Sequence, residues 1–170
     1  PEYIGEATTS PLTHPDAATF YEKISTLPNV EVIDLSDAFW KLKDSTRVFL
    51  KQDTHWTPAA MELAAETISK HIAAEPWHQP DHDFNPADRQ TRQSLGDLVE
   101  KLDVGPGIFT LESAEVTPVT GKTRDQNSPI ILLGDSFTNI YSDAIGLDWG
   151  TGAGLAEHLA LRLGTPLDLS

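Results

Sequence analysis

Two short segments, Asp53-Thr54-His55-Trp56 and Gly134-Asp135-Ser136-Phe137, together hold a hydroxyl, an imidazole and a carboxylate. Those three groups suit nucleophilic acyl chemistry: the imidazole takes the hydroxyl proton, and the carboxylate orients the imidazole and steadies its positive charge. Ser136 follows the apolar run Ile130-Ile131-Leu132-Leu133, so the spacing predicts a buried strand giving way to a turn that exposes the hydroxyl. Asp53 and His55 are two apart. In an extended segment that spacing points both side chains the same way and lets the carboxylate hold the far ring nitrogen. The order Asp, His, Ser is acceptable because such triads are defined by roles and geometry. Each motif has a plainer reading alone: Gly-Asp-Ser as a strand-to-helix turn with Asp135 or Ser136 as the cap, and Asp-x-His as a surface pair.

Asp53-Thr54-His55-Trp56-Thr57-Pro58, followed by Gly134-Asp135-Ser136-Phe137-Thr138-Asn139, resembles the signature of the alginate O-acetyltransferase family, the AlgX and AlgJ type of SGNH-hydrolase-like domain. Leu95-Gly96-Asp97-Leu98, Pro1-Glu2-Tyr3, the stretch from Gly150 to Leu159, and Thr165-Pro166-Leu167-Asp168 are similar to other parts of that family. The resemblance implies one three-layer α/β/α domain over residues 1–170 with a mainly parallel central sheet. It also implies a triad of Ser136, His55 and Asp53, an acetyl-enzyme intermediate, a polysaccharide acceptor, a separate acetyl donor and a periplasmic or other extracytoplasmic location. Family domains are longer, and Pro1-Glu2-Tyr3 resembles a segment that follows the first core strand. The expectation is therefore a fragment, or a reduced domain whose sheet lacks an N-terminal strand. The glycine and asparagine blocks that usually supply SGNH oxyanion donors are not evident. The Ser136 backbone amide is the expected donor, with Asn139 as a second candidate and Thr138 behind it.

Composition bounds these readings. The chain has 170 residues, 39% of them apolar, enough for one domain with a proper core. Twelve basic against twenty-six acidic residues give a formal charge of −14, which argues against nucleic acid and anionic membranes as partners. A polyanionic polymer would need a local basic groove, for which Lys41, Lys43, Arg47 and Lys51 are the candidates, with solvated helix and strand edges as their equal alternative; a neutral glycan stays equally open. Cysteine is absent, which excludes disulfides and a thiol nucleophile. No apolar run is long enough to span a bilayer. No cofactor or metal is expected. His78, Asp81, His82 and Asp83 match no standard zinc spacing, although metal-dependent hydrolysis through them with Asp53 and His55 is a third alternative. The other rivals are an acetylesterase with the same triad and a carbohydrate-binding domain without catalysis.

The elements that must position these groups follow from periodicity. Residues 15–27 read as an amphipathic helix with Pro15 in its first turn, stopped by Pro28-Asn29. Val30 to Leu35 alternates like a strand, and Ser36 reads as the cap of a helix reaching about Lys43. Val48-Phe49-Leu50 reads as a short strand that delivers Asp53 and His55 at its carboxyl end. Thr57-Pro58 starts a helix expected to run to about Ala74, the threonine hydroxyl accepting an orphan amide and proline sitting at its tolerated first position. Residues 75–93 read as a long surface loop, Ser94 to about Lys101 as a short capped helix, and Ile108 to Glu112 and Glu115 to Val119 as extended. Ala144 falls on a helix after Ser136, and Gly146 to Gly154 reads as a loop carrying Trp149. Trp56, Tyr141 and Trp149 are candidates to stack on a sugar ring, against the alternative of core aromatics; Trp40 reads as core. His71 and His158 read as ordinary surface or interface residues on helices.

Overall fold

The structure is a computed structural model that describes residues 13–102, 107–143 and 148–169. Pro1-Glu2-Tyr3, Ala144 and Gly146 lie outside the described residues. The chain folds as two compact units, Pro1–Ser45 and Thr46–Ser170.

The first unit carries α1 (Ala17–Ser25) and α2 (Ser36–Leu42). Pro15 lies ahead of α1, whose N-cap is Asp16, and no residue of this helix is buried. It ends at Ser25 with Thr26 as its C-cap, earlier than the expected stop at Pro28-Asn29, where Asn29 takes a left-handed backbone with φ 58. The strand predicted for Val30 to Leu35 is absent, because an alternating segment becomes a strand only with a hydrogen-bonded neighbour and none is present among the described residues. Ser36 is not the cap of α2. It is the first helical residue, and its amide donates to Asp34 Oδ1 at 2.8 Å. Trp40 is half-buried rather than core, with the Lys43 ammonium 4.2 Å from its ring centre.

The second unit holds the residues of interest. Its core is the packing of α3 (Pro58–Ala73) on α6 (Leu155–Leu163). Ala60, Met61, Ala64 and Ala65 are fully buried on α3, and Ala156, Leu159, Ala160 and Leu163 on α6. The small residues let the two backbones approach, and each large side chain removed from water contributes roughly 1.5–3 kcal/mol. α3 starts as its sequence predicts: the Thr57 hydroxyl accepts from the Ala60 amide, with proline at the first position. α6 ends at Gly164, which is left-handed at φ 60. A Cβ there would lie 2.9 Å from Pro80 Cβ and 3.1 Å from the His82 carbonyl oxygen.

The strands among the described residues form three two-stranded sheets. β1 (Asn85–Pro86) runs antiparallel to β4 (Val119–Thr120), and β2 (Gln90–Ser94) antiparallel to β3 (Glu112–Val116) from Gln90↔Val116 to Ser94↔Glu112. β5 (Ile131–Leu132) pairs with β6 (Asp168–Leu169), the one parallel pair of strands among the described residues. Residues 75–93 are therefore not one loop, since β1 and most of β2 find partners there that are distant in sequence. Ser94 belongs to β2, and the short helix α4 begins later and spans Asp97–Leu102. The Ile130 to Leu133 run is buried only at Ile130. Ile131 and Leu133 are exposed, because β5 has a single strand neighbour among the described residues.

Candidate active site

Asp53 and His55 sit in a turn, not at the end of an extended strand. The Val48 carbonyl accepts the Thr57 amide and the Leu50 amide donates to the His55 carbonyl, so residues 48–57 fold back as a tight hairpin. Asp53 Oδ1 closes the turn by accepting the His55 amide at 3.0 Å, as aspartate side chains do two residues ahead. The same oxygen meets His55 Nδ1 at 2.5 Å. The contact expected from the two-residue spacing exists, but an aspartate turn makes it. Both residues are buried.

The turn is held from three sides. Asp53 Oδ2 accepts the Asp97 amide at 3.1 Å and the Trp149 indole N–H at 2.9 Å. The Asp97 carboxylate in turn accepts the Thr54 amide and hydroxyl, each at 2.8 Å, and the Lys101 ammonium at 2.6 Å. Burial pushes Asp97 up, but Lys101 and the two Thr54 donors outweigh it and hold the carboxyl below the ordinary carboxylate range. The Glu112 carboxylate accepts the amides of Lys51 and Gln52 and pairs with Arg47 at 3.2 Å. Gly96, at φ +77, lies so close beneath the turn that a Cβ would stand 2.2 Å from the Gln52 carbonyl oxygen. Neither Asp97 nor Glu112 stands out as a site residue from residue type and spacing alone. The only trace is the Leu95-Gly96-Asp97-Leu98 match, which assigns no contact.

Asp53, His55 and Asp97 could each offer a ligand atom within 4.8 Å of the others. Both Asp53 oxygens and the Asp97 carboxylate are already occupied by protein donors, with Lys101 supplying the nearby positive charge, so the set does not fit a cation. His78 and Asp81 to Asp83 are not in that grouping; His82 pairs with Asp81 and stacks on Phe84.

Ser136 begins the one-turn helix α5 (Ser136–Asn139) and is exposed, as predicted. Asp135 shapes the turn: its side chain accepts the Phe137 amide at 3.0 Å and its carbonyl the Thr138 amide at 3.1 Å. That leaves the Ser136 amide as the first-turn donor. A Cβ at Gly134 would overlap Thr138, so Thr138 is buried as packing against the turn. Asn139 is half-buried. The structure does not join Ser136 to His55 by a hydrogen bond, but it brings their neighbourhoods together. The ring of Phe137 lies 4.8 Å from that of His55 and 5.5 Å from that of Trp56. His55 Nε2 is buried and has no hydrogen-bond partner.

Three aromatics offered as sugar platforms belong to the core instead. Trp56 is 8%, Tyr141 0% and Trp149 1% exposed, so no ring face is open to a sugar. Tyr141 donates its hydroxyl to the Trp56 carbonyl at 2.6 Å, tying the segment after Ser136 to the His55 turn. Burial, with Asp53 and Glu112 nearby, raises that phenol far above its ordinary range and keeps it a donor. Beyond α5, Glu157 accepts from Ser142, Gly154 and Arg124 and so anchors the start of α6. His158 is not at the surface: it is buried on α6 against the Thr117 carbonyl, 3.0 Å away. His71 is exposed, as read. Of the candidates for a basic groove, Arg47 is committed to Glu112, and Lys43 to Asp44.

Residues 5–158 match the family model described as SGNH hydrolase-like domain, acetyltransferase AlgX. A probable alginate O-acetylase AlgJ of Pseudomonas putida is 26% identical over 153 residues, covering 81% of this chain and 39% of that protein. Its counterpart in Pseudomonas syringae pv. tomato is 27% identical over 154 residues, with the same two shares, 81% and 39%. The chain thus spans about two-fifths of the length of these curated relatives. Among solved structures, the O-acetyltransferase domain of Pseudomonas putida AlgJ superposes with a TM-score of 0.70 at 23% identity, covering 99% of this chain and 56% of that one. Pseudomonas aeruginosa AlgX gives 0.59 at 18%, covering 80% and 30%. The fold is therefore the SGNH-hydrolase-like α/β class. No helix among the described residues is long and apolar enough to cross a membrane.

Proposed function

Because this chain belongs to the AlgX-type SGNH hydrolase-like family, we propose that it transfers acetyl groups to a polysaccharide hydroxyl, with Ser136 as nucleophile, His55 as base and Asp53 as orienting carboxylate. One observation carries the reading: a buried imidazole is held at Nδ1 by Asp53 while its Nε2 has no partner, and the helical turn starting at Ser136 packs beside it. A carboxylate only accepts, so Nδ1 carries the hydrogen and Nε2 is the basic nitrogen.

Ser136 Oγ attacks the carbonyl carbon of an acetyl ester as its proton passes to His55 Nε2. The negative charge on the carbonyl oxygen meets the Ser136 amide, with Asn139 the candidate second donor. The carbon–oxygen bond to the donor alcohol then breaks, His55 returns the proton to that alcohol, and acetyl-Ser136 remains. An acceptor hydroxyl loses its proton to the same nitrogen and attacks the acetyl carbon; the bond to Ser136 Oγ breaks, and His55 returns the proton to that oxygen. Water in place of the sugar gives an esterase. The acceptor polysaccharide, a separate acetyl donor and a periplasmic setting are parts of this proposal that rest on the family.

The test is turnover of an activated acetyl ester by Ser136→Ala and His55→Ala in folded protein. Ser136→Ala should abolish it, and His55→Ala should lower it by about 10²–10⁴-fold. Retained turnover in either variant removes that residue from the mechanism. Oligosaccharide acceptors with mass spectrometry of acetylated product against free acetate separate transferase from esterase.

A further inference from the structure

Asp97 and Lys101 stand four residues apart on α4, and neither lies on the proton path from Ser136 to His55. Lys101 Nζ is 2.6 Å from Asp97 Oδ2; its side chain is 67% exposed and that of Asp97 only 12%. The Asp97 carboxylate is close to the imidazole. One oxygen of Asp97, one of Asp53 and a ring nitrogen of His55 all lie within 4.8 Å of one another. Lys101 feels both carboxylates: its pKa is raised, first by the hydrogen bond to Asp97, with the charges of Asp97, Asp53 and Glu100 adding to it.

Charge at the turn is therefore one short of balance. Two buried carboxylates face one ammonium, so a neutral imidazole leaves one negative charge over and an imidazolium cancels it. The other groups around the turn do not change that count. Glu112 on β3 is paired with Arg47, Tyr141 stays a neutral donor, and Phe137, packed on the imidazole, carries no charge. The side chains of Lys51, Glu100 and Asp135 are exposed, where water and salt screen them. Without Lys101 the imidazole would face two uncompensated carboxylates, which favour its protonated form and so remove the base at neutral pH.

We propose that Asp97 and Lys101 are positioning residues that set the pH above which His55 is available as a base, Asp97 by fixing the turn with a second negative charge and Lys101 by cancelling that charge. The proposal rests on the reading of His55 as the base, but its test does not need turnover.

The experiment follows the His55 ring signal by NMR as pH is varied, the signal being assigned by its absence in His55→Gln. It compares wild type, Asp97→Asn, Lys101→Met, Lys101→Arg and the double variant Asp97→Asn with Lys101→Met. Lys101→Met should move the titration midpoint up by about 0.5 pH unit, and Asp97→Asn should move it down by about 0.5–1 pH unit. The double variant should fall between them, Lys101→Arg should match wild type, and the acid limb of acetyl-ester turnover should follow each midpoint. Loss of a merely structural ion pair would weaken both single variants alike without moving their midpoints in opposite directions. A midpoint unchanged in either single variant, or moved the same way in both, overturns the proposal. If Asp97→Asn does not fold, Lys101→Met against Lys101→Arg decides, because that side chain is exposed. Full turnover in Ser136→Ala would end the acyl-transfer reading, while the ring titration would still decide what Asp97 and Lys101 do to His55.

Discussion

Replacing Gly96 by alanine should push the turn carrying Asp53 out of register. The added Cβ would lie 2.2 Å from the Gln52 carbonyl oxygen, 2.6 Å from its carbon and 3.0 Å from Asp53 Cβ. A tolerable carbon–oxygen approach is about 3.3 Å, so the turn must retreat by roughly 1 Å. Two costs combine. An L side chain at φ +77 loses about 1–2 kcal/mol, and moving the Gln52 carbonyl away from the Leu98 amide, now 3.1 Å from it, loses about 1 kcal/mol more. The expected destabilisation is thus about 2–4 kcal/mol once residual overlap is added. Catalysis should fall further, since a displacement of about 1 Å in a catalytic group can lower rate about 10²-fold. Gly107 is the control: at φ +87 it has the same backbone preference, yet an added Cβ meets nothing within 4 Å. Gly107→Ala should lose about 1–2 kcal/mol and no turnover. Urea unfolding and acetyl-ester kinetics on both variants check this. Gly96→Ala with the stability of Gly107→Ala and near wild-type turnover would refute the argument that the glycine sets the position of Asp53.

Two pH effects follow from the buried polar groups. Burial lowers the His158 pKa, only partly offset by Glu62 and the Thr117 carbonyl, so the unfolded chain binds more protons below about pH 6.5. Stability should then fall between about pH 7 and pH 5, and His158→Gln, which can still donate to Thr117, should flatten that slope in urea melts at the two pH values. Asp97 titrates below its ordinary value, so its stabilisation is complete above about pH 4 and is lost as pH falls through the lower folded value. Asp97→Asn should lose about 1–2 kcal/mol at neutral pH, a deficit that acid titration of both proteins should show shrinking below about pH 4.

The sequence determined by itself what depends on near neighbours. Thr57-Pro58 specified a helix start because a hydroxyl acceptor and a missing amide both suit that end. Asp135 specified its turn because its side chain reaches an amide two residues on, and Asp53 reached His55 by the same local device. What only the tertiary structure decided depends on partners far along the chain. Val30 to Leu35 alternates without a strand neighbour, while Gln90 to Ser94, read as loop and helix cap, pairs with β3. Trp149 lies 96 residues from the Asp53 carboxylate it donates to, and Asp97 lies 44 away. His158 occupies the interior although a helix would carry it equally well on its outer face. Composition counts charges but does not say which of them meet, because pairing, burial and the closure of a site are set by packing between elements that local periodicity leaves unordered in space.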